Sequence, residues 1–283
     1  MVATRAITLP HGVFAEGRLA REAELRAPSG SDEAALLEDG ADATPAERVS
    51  KLLERCVVKI GGRPPTGVTV RSLTVGDREA LLLHLRAVTF GDLLPCVLDC
   101  PECAERMDLE LSVARLLIAP YPSPQERYET TLRVNGVRCE VRFRLPTGSD
   151  QEVAARKPDL ESGVRALLDR CVDGAAVDGE PVDRLPDESR PGLSAAMASL
   201  DPQAEIALLL DCPACEHRFS ALLDSASILF AELTGSSYRL WHEVHALALH
   251  YHWSEREILG LDLRRRRRYL DLLAAASGEG WAP

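Results

Sequence analysis

The sequence contains few aromatic residues, very little lysine and no long apolar run. Aromatic residues make up 5% of the 283 positions, so the core must consist mainly of leucine, valine and alanine. Lysine occurs only at Lys51, Lys59 and Lys157, and arginine supplies the other positive charges, a bias that indicates GC-rich coding rather than a site. Because no stretch reaches the ~18 consecutive apolar residues of a membrane span, we predict a soluble protein.

A secretory signal and a net positive charge are also missing. Residues 1–12 contain Arg5 and Pro10 and lack the apolar run of a signal peptide, so we expect the protein to stay in the cytoplasm. The net charge of -11 argues against a general nucleic-acid-binding surface. No phosphate loop, dinucleotide fingerprint, nucleophile elbow or zincin motif occurs, and no acid–base pair stands out. We therefore predict a protein without enzymatic activity.

Four of the eight cysteines form two matching Cys-Pro-x-Cys knuckles, at 100–103 and at 212–215. Each knuckle offers half of a tetrahedral thiolate site, and two of them complete a four-cysteine zinc site. In a reducing cytoplasm, paired cysteines are more often metal ligands than disulfides. The sequence therefore predicts one structural Zn²⁺ ion with no open position for water, and its four ligands are Cys100, Cys103, Cys212 and Cys215.

Two other interpretations of the knuckles stay open. Each knuckle could hold its own metal with help from Cys96 or His217. Either could also be a redox motif of the glutaredoxin kind, but that needs a helix N-terminus at the first cysteine, and strands are predicted after both knuckles. Ala104 and Glu216 stand where zinc knuckles usually carry glycine, which leaves the turn geometry open. The remaining cysteines are predicted to be buried apolar residues; they are Cys56, Cys96, Cys139 and Cys171.

Four landmarks occur twice in the same order, at offsets of 112 to 118 residues: a turn, a helix, a knuckle and a return strand. Such a series predicts an α+β fold with an internally duplicated body. Each unit would contain a β-hairpin, two helices and a knuckle hairpin, related by a pseudo-twofold axis on which one zinc ion is shared. The proline-rich linker at 119–124 divides the units, so we predict domains at residues 1–122 and 123–225. In the first unit, Asp77 is expected to cap a helix over 78–88.

Residues 226–283 are predicted to form an all-helical module without a counterpart in the body. We expect helices over 226–233, 236–251 and 263–276, the last capped by Asp262. A run of five arginines begins the last helix, and we predict that its exposed side binds a partner. The predicted partner-binding residues are Trp253, Arg264, Arg265, Arg267, Arg268 and Tyr269. The histidines of Trp241–His245 are three positions apart rather than the four that a zincin requires.

Several of these segments resemble the baseplate family of T-even-type contractile-tailed bacteriophages, also found in prophage-like contractile injection systems. The similar segments are 73–81, 145–150, 201–205, both knuckles and 243–270. The most specific is the last, with Tyr251-His252-Trp253-Ser254-Glu255 before Ile258-Leu259 and a terminal Arg-Arg-x-Tyr-Leu. The resemblance covers roughly residues 25 to 275.

This resemblance implies a structural or assembly role in the baseplate hub, with other hub or baseplate proteins as partners. It implies a location in the cytoplasm of the producing bacterium, and in the assembled phage-like particle if the protein stays there. Two functions of other classes remain open. One is a zinc-containing DNA-binding regulator that uses the arginine-rich C-terminal helices, and the other is a thiol-disulfide oxidoreductase.

Overall fold

The computed structural model describes residues 4–38 and 42–277. Over these residues, helices and small antiparallel sheets alternate, which confirms the predicted α+β class. The polar composition of residues 38–44 predicts a loop, of which residues 39–41 lie outside the described ranges. None of the described helices is both long and apolar enough to cross a membrane.

The first part of the chain is a three-stranded antiparallel sheet covered by helices, with strand order β1-β2-β3. Its elements are β1 (Thr4–Ala15), β2 (Arg18–Arg26), α1 (Gly30–Glu38), α2 (Pro45–Cys56), β3 (Val57–Ile60), α3 (Gly67–Ser72) and α4 (Val75–Phe90). Thr44-Pro45-Ala46-Glu47 is the sequence pattern of a capping box, and Thr44 caps α2 in this way together with Glu47. The core beneath the sheet consists mainly of aliphatic side chains, in agreement with the low aromatic content.

The first knuckle hairpin follows α4. It consists of β4 (Leu93–Asp99) and β5 (Arg106–Ser112), and a short helix, α5 (Val113–Leu116), leads out of it. Cys100 and Cys103 therefore lie at the tip of a β-hairpin, as predicted. One side of the hairpin is exposed, whereas the other packs against the second knuckle hairpin and the body.

The second part contains a four-stranded antiparallel sheet with order β6-β7-β8-β9. Its elements are β6 (Tyr128–Val134), β7 (Val137–Phe143), α6 (Gly148–Ala155), α7 (Leu160–Cys171), β8 (Val172–Val177), β9 (Glu180–Val182) and α8 (Arg190–Leu200). Asn135 and Gly136 both adopt positive φ, 51° and 83°, in the two-residue hairpin turn that an Asn-Gly pair favours. This sheet and its helices form a separate cluster of buried residues.

The last part begins with the second knuckle hairpin and continues as helices. Its elements are β10 (Ala207–Asp211), β11 (Arg218–Leu222), α9 (Ser225–Tyr251), α10 (Glu255–Leu259) and α11 (Leu263–Ser277). Over the described residues 226–277 the expected helical character of the C-terminus is confirmed. The expected break near residue 235 is wrong, because α9 is continuous over 27 residues. Leu229 and Leu233 of α9 lie in the core of the first part, while Leu240 and Leu247 pack with α10 and α11.

The two hairpin–helix segments contain the same local cluster of charges. Arg26 donates to the buried Asp32 at 2.6 Å, and Arg144 donates to the buried Asp150 at 2.6 Å. Each aspartate also accepts the backbone N–H of the residue three positions earlier, at 2.8 and 2.9 Å. In both cases the cluster fixes the start of a helix, α1 or α6, against the preceding strand.

A second local arrangement also occurs twice: a short helix, a tight turn and a long helix. It is formed by α3–α4 and again by α10–α11, with equivalent residues 188 positions apart. Thr74 and Asp262 cap the long helices, each accepting the backbone N–H three positions later. This corrects two expectations. The C-terminal module does have a local counterpart in the body, and Asp77 is not the cap of α4 but its third residue, because Thr74 precedes the helix.

Each helix pair docks on the turn that starts a helix in another part of the chain. Thr74 forms an antiparallel bridge with Thr147, before α6, and Asp262 forms one with Ser29, before α1. The first contact joins the two sheet-containing parts, and the second joins the C-terminal helices to the first part. Two similar contacts therefore connect parts of the chain that are far apart in the sequence.

A buried arginine occupies each docking contact. Arg78 is 1% exposed and Arg266 is 0% exposed, and both lie four positions after the capping residue. A Cβ atom on Gly148 would lie 2.3 Å from Nη1 of Arg78, and one on Gly30 would lie 2.9 Å from Nη1 of Arg266. Both turns therefore carry glycine because the guanidinium occupies the space where a side chain would be.

Candidate metal centre and C-terminal surface

The two knuckles have the same backbone geometry. The N–H of Cys100 donates to the carbonyl of Glu105 at 2.8 Å, and that of Cys212 donates to the carbonyl of His217 at 2.9 Å. In each turn, the residue after the second cysteine donates back to the first cysteine at 2.9 Å. These bonds point both thiols of a knuckle to the same side of its hairpin tip.

The residues at the usual glycine position adopt the conformation that glycine normally provides. Ala104 has φ 58° and Glu216 has φ 59°, both in the left-handed region. The turn geometry left open by the sequence is thus that of a knuckle with glycine. Left-handed backbone at a non-glycine residue costs about 1 kcal/mol or more, so other interactions must hold each turn.

The four knuckle sulfurs form one compact group. The Sγ atoms of Cys100 and Cys215 are 3.7 Å apart, and those of Cys103 and Cys212 are 3.6 Å apart. All four lie within 4.8 Å of one another. A tetrahedral zinc ion with Zn–S bonds of ~2.3 Å separates its sulfurs by about 3.8 Å, so the donor set fits such an ion in number, type and spacing.

The surroundings shift the pKa values of two knuckle thiols in opposite directions. Burial opposes the thiolate of Cys212, but the backbone N–H groups of Cys215 and Ala214 outweigh it and lower the pKa to about 7. The N–H of His217 favours the thiolate of Cys215, yet the neighbouring thiols raise its pKa to about 12. Four thiolates at this spacing repel one another, and a divalent cation removes that repulsion.

The other metal-binding interpretations receive no support from the described residues. In this part of the chain, no other group of three or more His, Cys, Asp and Glu side chains comes together as a metal site, and neither Cys96 nor His217 joins the four knuckle cysteines. Strands β5 and β11, not helices, follow the knuckles. The carboxylate of Glu243, between the two histidines of the zincin-like stretch, is bound to Arg266 instead, at 2.8 Å.

The remaining cysteines lie where small apolar residues are expected. Cys56, Cys139 and Cys171 are buried in the two main cores, and Cys96 is half-buried in strand β4 of the first hairpin. Burial, the largest effect on each, raises the pKa of Cys171 to about 12 and moves that of Cys56 in the same direction. Cys56 and Cys171 are thus poor nucleophiles and poor ligands at neutral pH.

Apolar contacts hold the two hairpins together behind the sulfurs. Leu98 and Met107 of the first hairpin pack with Phe219 of the second, next to Cys100 and Cys212. These two cysteines are each 2% exposed, whereas Cys103 and Cys215 are exposed. The centre is therefore closed on the hairpin side and open at the tip.

The predicted partner-binding residues separate into two groups. Trp253 and Tyr269 are half-buried in an aromatic cluster with Tyr251, with ring centroids of Trp253 and Tyr269 4.8 Å apart at 89°. Arg264 is exposed but donates to the carbonyls of Thr89 and Ala87 at the end of α4. Arg265, Arg267 and Arg268 are exposed without a recorded ion pair in the described part of the chain.

The fifth arginine of the run, Arg266, has a role that the sequence analysis missed. Its Nη2 donates to both carboxylate oxygens of Glu33 at 2.8 Å, and its Nε donates to Glu243 at 2.8 Å. A signal for this burial exists in the sequence, because residue 266 shares a helix face with Leu263 and Leu270, which are also buried.

Comparison with known proteins gives one family match. The family model described as "T4 bacteriophage base plate protein" matches residues 13–231. No curated protein and no solved structure matches the chain. The family match begins in β1 and ends in α9, and it includes both knuckle hairpins. Since it covers well over half of the sequence, the chain belongs to the T4 bacteriophage base plate protein family.

Proposed function

We propose that this protein is a non-enzymatic structural or assembly component of the baseplate hub of a contractile phage tail or a phage-tail-like contractile injection system. The observation that carries the proposal is the family match over residues 13–231. The structural character of that family favours a scaffold over an enzyme. Two docking contacts and a cysteine centre hold the body together, which also suits a component that must stay rigid under mechanical force.

Two measurements on producing cells test this proposal. Deletion of the gene should abolish intact, contracting particles, and complementation should restore them. Quantitative mass spectrometry of purified particles then separates a component, present at a fixed copy number, from an assembly factor that leaves. Normal particles from the deletion strain would end the proposal.

We further propose that Cys100, Cys103, Cys212 and Cys215 bind one structural Zn²⁺ ion. The sulfur spacing of 3.6 and 3.7 Å across the hairpins supports this, as does the grouping of all four sulfurs within 4.8 Å of one another. Because two ligands come from each hairpin, the ion would join parts of the chain that are 112 residues apart.

Metal analysis of the purified protein tests the zinc proposal directly. We expect one zinc per chain in the wild type and none in Cys212→Ser. The matched control is Cys96→Ser, because Cys96 lies in the same hairpin region but outside the cluster. Zinc retained by Cys212→Ser, or absent from the wild type, would contradict a shared four-cysteine site.

We also propose that the body arose by tandem duplication, with units at residues 1–122 and 123–225 and a C-terminal module at 226–283. The support lies in shared details. The Arg–Asp clusters are 118 positions apart, the knuckles are 112 positions apart, and both hairpins end in the same left-handed turn. In this proposal a pseudo-twofold axis passes between the knuckles. Family sequences in which only one unit carries its cysteines in pairs would argue against a shared origin of the knuckles.

A further inference from the structure

The helix pair α10–α11 has a counterpart, α3–α4, whose surroundings are known. Equivalent residues are 188 positions apart, so Gly76, Asp77, Glu79 and Ala80 of α4 correspond to Arg264, Arg265, Arg267 and Arg268 of α11. In both helices these four positions lie around the side opposite the buried arginine, Arg78 or Arg266. The environment of α4 thus indicates what this side of the helix is suited to contact.

In α4, the rest of the chain covers this side. The N–H of Gly76 donates to Asp201 at 2.9 Å. The carboxylate of Asp77 accepts the backbone N–H groups of His11 and Gly12 at 2.8 and 2.9 Å. Glu79 is hydrogen-bonded to Ser225 at the start of α9. The side of α4 opposite Arg78 is therefore a protein–protein contact surface within the chain.

In α11, the equivalent side faces solvent. Arg265, Arg267 and Arg268 are exposed, and no carboxylate is recorded within ion-pair distance of them in the described ranges. Arg264 alone is engaged, through the carbonyls of Thr89 and Ala87. The C-terminal helix pair therefore presents cations where its counterpart makes buried contacts.

The charge of these positions specifies the chemistry of what covers them. Residues 232–283 contain as many arginines as acidic residues, so the whole net charge of -11 resides in residues 1–231. Arg265, Arg267 and Arg268 thus form a small positive patch on an otherwise acidic chain, and a surface of opposite charge is the kind that such a patch attracts. A nucleic acid would be repelled by the acidic body. A second copy is disfavoured because the elements that cover α4 are already occupied by α4 within each chain.

We propose that Arg265, Arg267 and Arg268 of α11 form a docking surface for a carboxylate-rich face of another baseplate protein. This inference rests on the proposed function, since it takes the partner to be a protein of the same particle. Arg266 holds the helix in place from behind, through Glu33 and Glu243, so the three exposed arginines are presented on a fixed element.

Charge reversal tests the surface in producing cells. Arg265→Glu/Arg267→Glu/Arg268→Glu should lower the yield of intact particles at least tenfold. The matched control is Arg106→Glu/Arg115→Glu/Arg133→Glu, which changes the net charge equally at exposed arginines elsewhere and should leave the yield within twofold. Both purified variants should keep the wild-type zinc content and melting temperature, so that misfolding is excluded. Equal yields from the two variants would overturn the proposal.

Photo-cross-linking from position 268, with position 133 as the control, identifies the occupant. We expect a cross-link to an Asp- or Glu-rich peptide of another particle protein, formed from position 268 only. A cross-link to a second copy of the chain or to nucleic acid, or none from position 268, would overturn the inference. If gene deletion leaves particle yield unchanged, the proposed function fails. If deletion abolishes particles but the triple variant does not, only this inference fails.

Discussion

The guanidinium of Arg266 donates through Nη2 to both carboxylate oxygens of Glu33, each at 2.8 Å, although the two residues are 233 positions apart. Both side chains are fully buried. Glu243 accepts from Nε of the same arginine. This three-residue group connects α1, α9 and α11, so the orientation of the C-terminal helices on the body depends on it.

Removing the arginine should destabilise the protein far more than removing its neighbour. Arg266→Met leaves two carboxylates buried without a cation, which typically costs about 3–5 kcal/mol. We expect a loss of that order in the free energy of unfolding, measured by urea titration with tryptophan fluorescence.

Arg265→Met is the control, because the same change at the adjacent, exposed position should stay within about 0.5 kcal/mol. A similar effect of the two substitutions would mean that the buried group does not hold the C-terminal helices.

Two glycine-to-alanine substitutions should act in opposite directions. At Gly148 the new Cβ would lie 2.3 Å from Nη1 of the buried Arg78, so we expect destabilisation by about 1–3 kcal/mol. At Gly235, in the interior of α9, nothing lies within 4 Å, and alanine should stabilise the helix by about 0.5–1 kcal/mol. Melting temperatures of both variants check the signs. Stabilisation by Gly148→Ala would show that the docking contact tolerates a side chain.

Local signals in the sequence were sufficient for the knuckles, the hairpins around them and the capped helix starts at Thr44 and Asp262. Each depends on residues within a few positions of one another, and a local rule connects the residue type to the geometry. The same rules failed at Asp77, because two capping residues stand close together and Thr74 is the one that lies before the helix.

The buried arginines illustrate what local signals cannot supply. In a run of five arginines each residue resembles the next, and only the contact with Glu33, more than 200 positions away, distinguishes Arg266. The continuity of α9 through Thr234 and Gly235 has a similar origin. Weak local preference against helix is overridden because both ends of α9 are packed, in different cores.

The sulfur arrangement predicts which disulfides form after metal is removed. Two short sulfur distances cross between the hairpins, 3.7 Å from Cys100 to Cys215 and 3.6 Å from Cys103 to Cys212. Chelation followed by the thiol oxidant diamide should therefore produce these two links. Peptide mapping without reduction identifies them.

Cys103→Ser supplies the control, since it should retain only the link between Cys100 and Cys215. Links within a knuckle, such as Cys100 to Cys103, would contradict the face-to-face arrangement of the hairpins.

The last prediction concerns the pH dependence of stability and rests on Glu79. Burial, the largest effect, raises the pKa of this carboxyl to about 7, although a hydrogen bond with Ser225 opposes the shift. The folded state therefore holds the proton between pH 4.5, near the ordinary glutamate pKa, and pH 7. The stability that this proton provides is complete below pH 4.5 and is lost as the pH rises through 7, by up to about 3 kcal/mol.

Glu79→Gln stays neutral, so its unfolding free energy should fall less than that of the wild type between pH 4.5 and 7.5. The exposed Glu129→Gln should follow the wild-type curve. Asp150 contributes to stability in a different pH range. Burial alone would raise the pKa of its carboxyl, but hydrogen bonds from Arg144 and its neighbours outweigh burial and lower the pKa to about 2. Its contribution is complete above pH 4 and is lost as the pH falls towards 2. If the unfolding free energies of Glu79→Gln and the wild type changed in parallel with pH, the pH dependence near neutrality would come from groups other than Glu79.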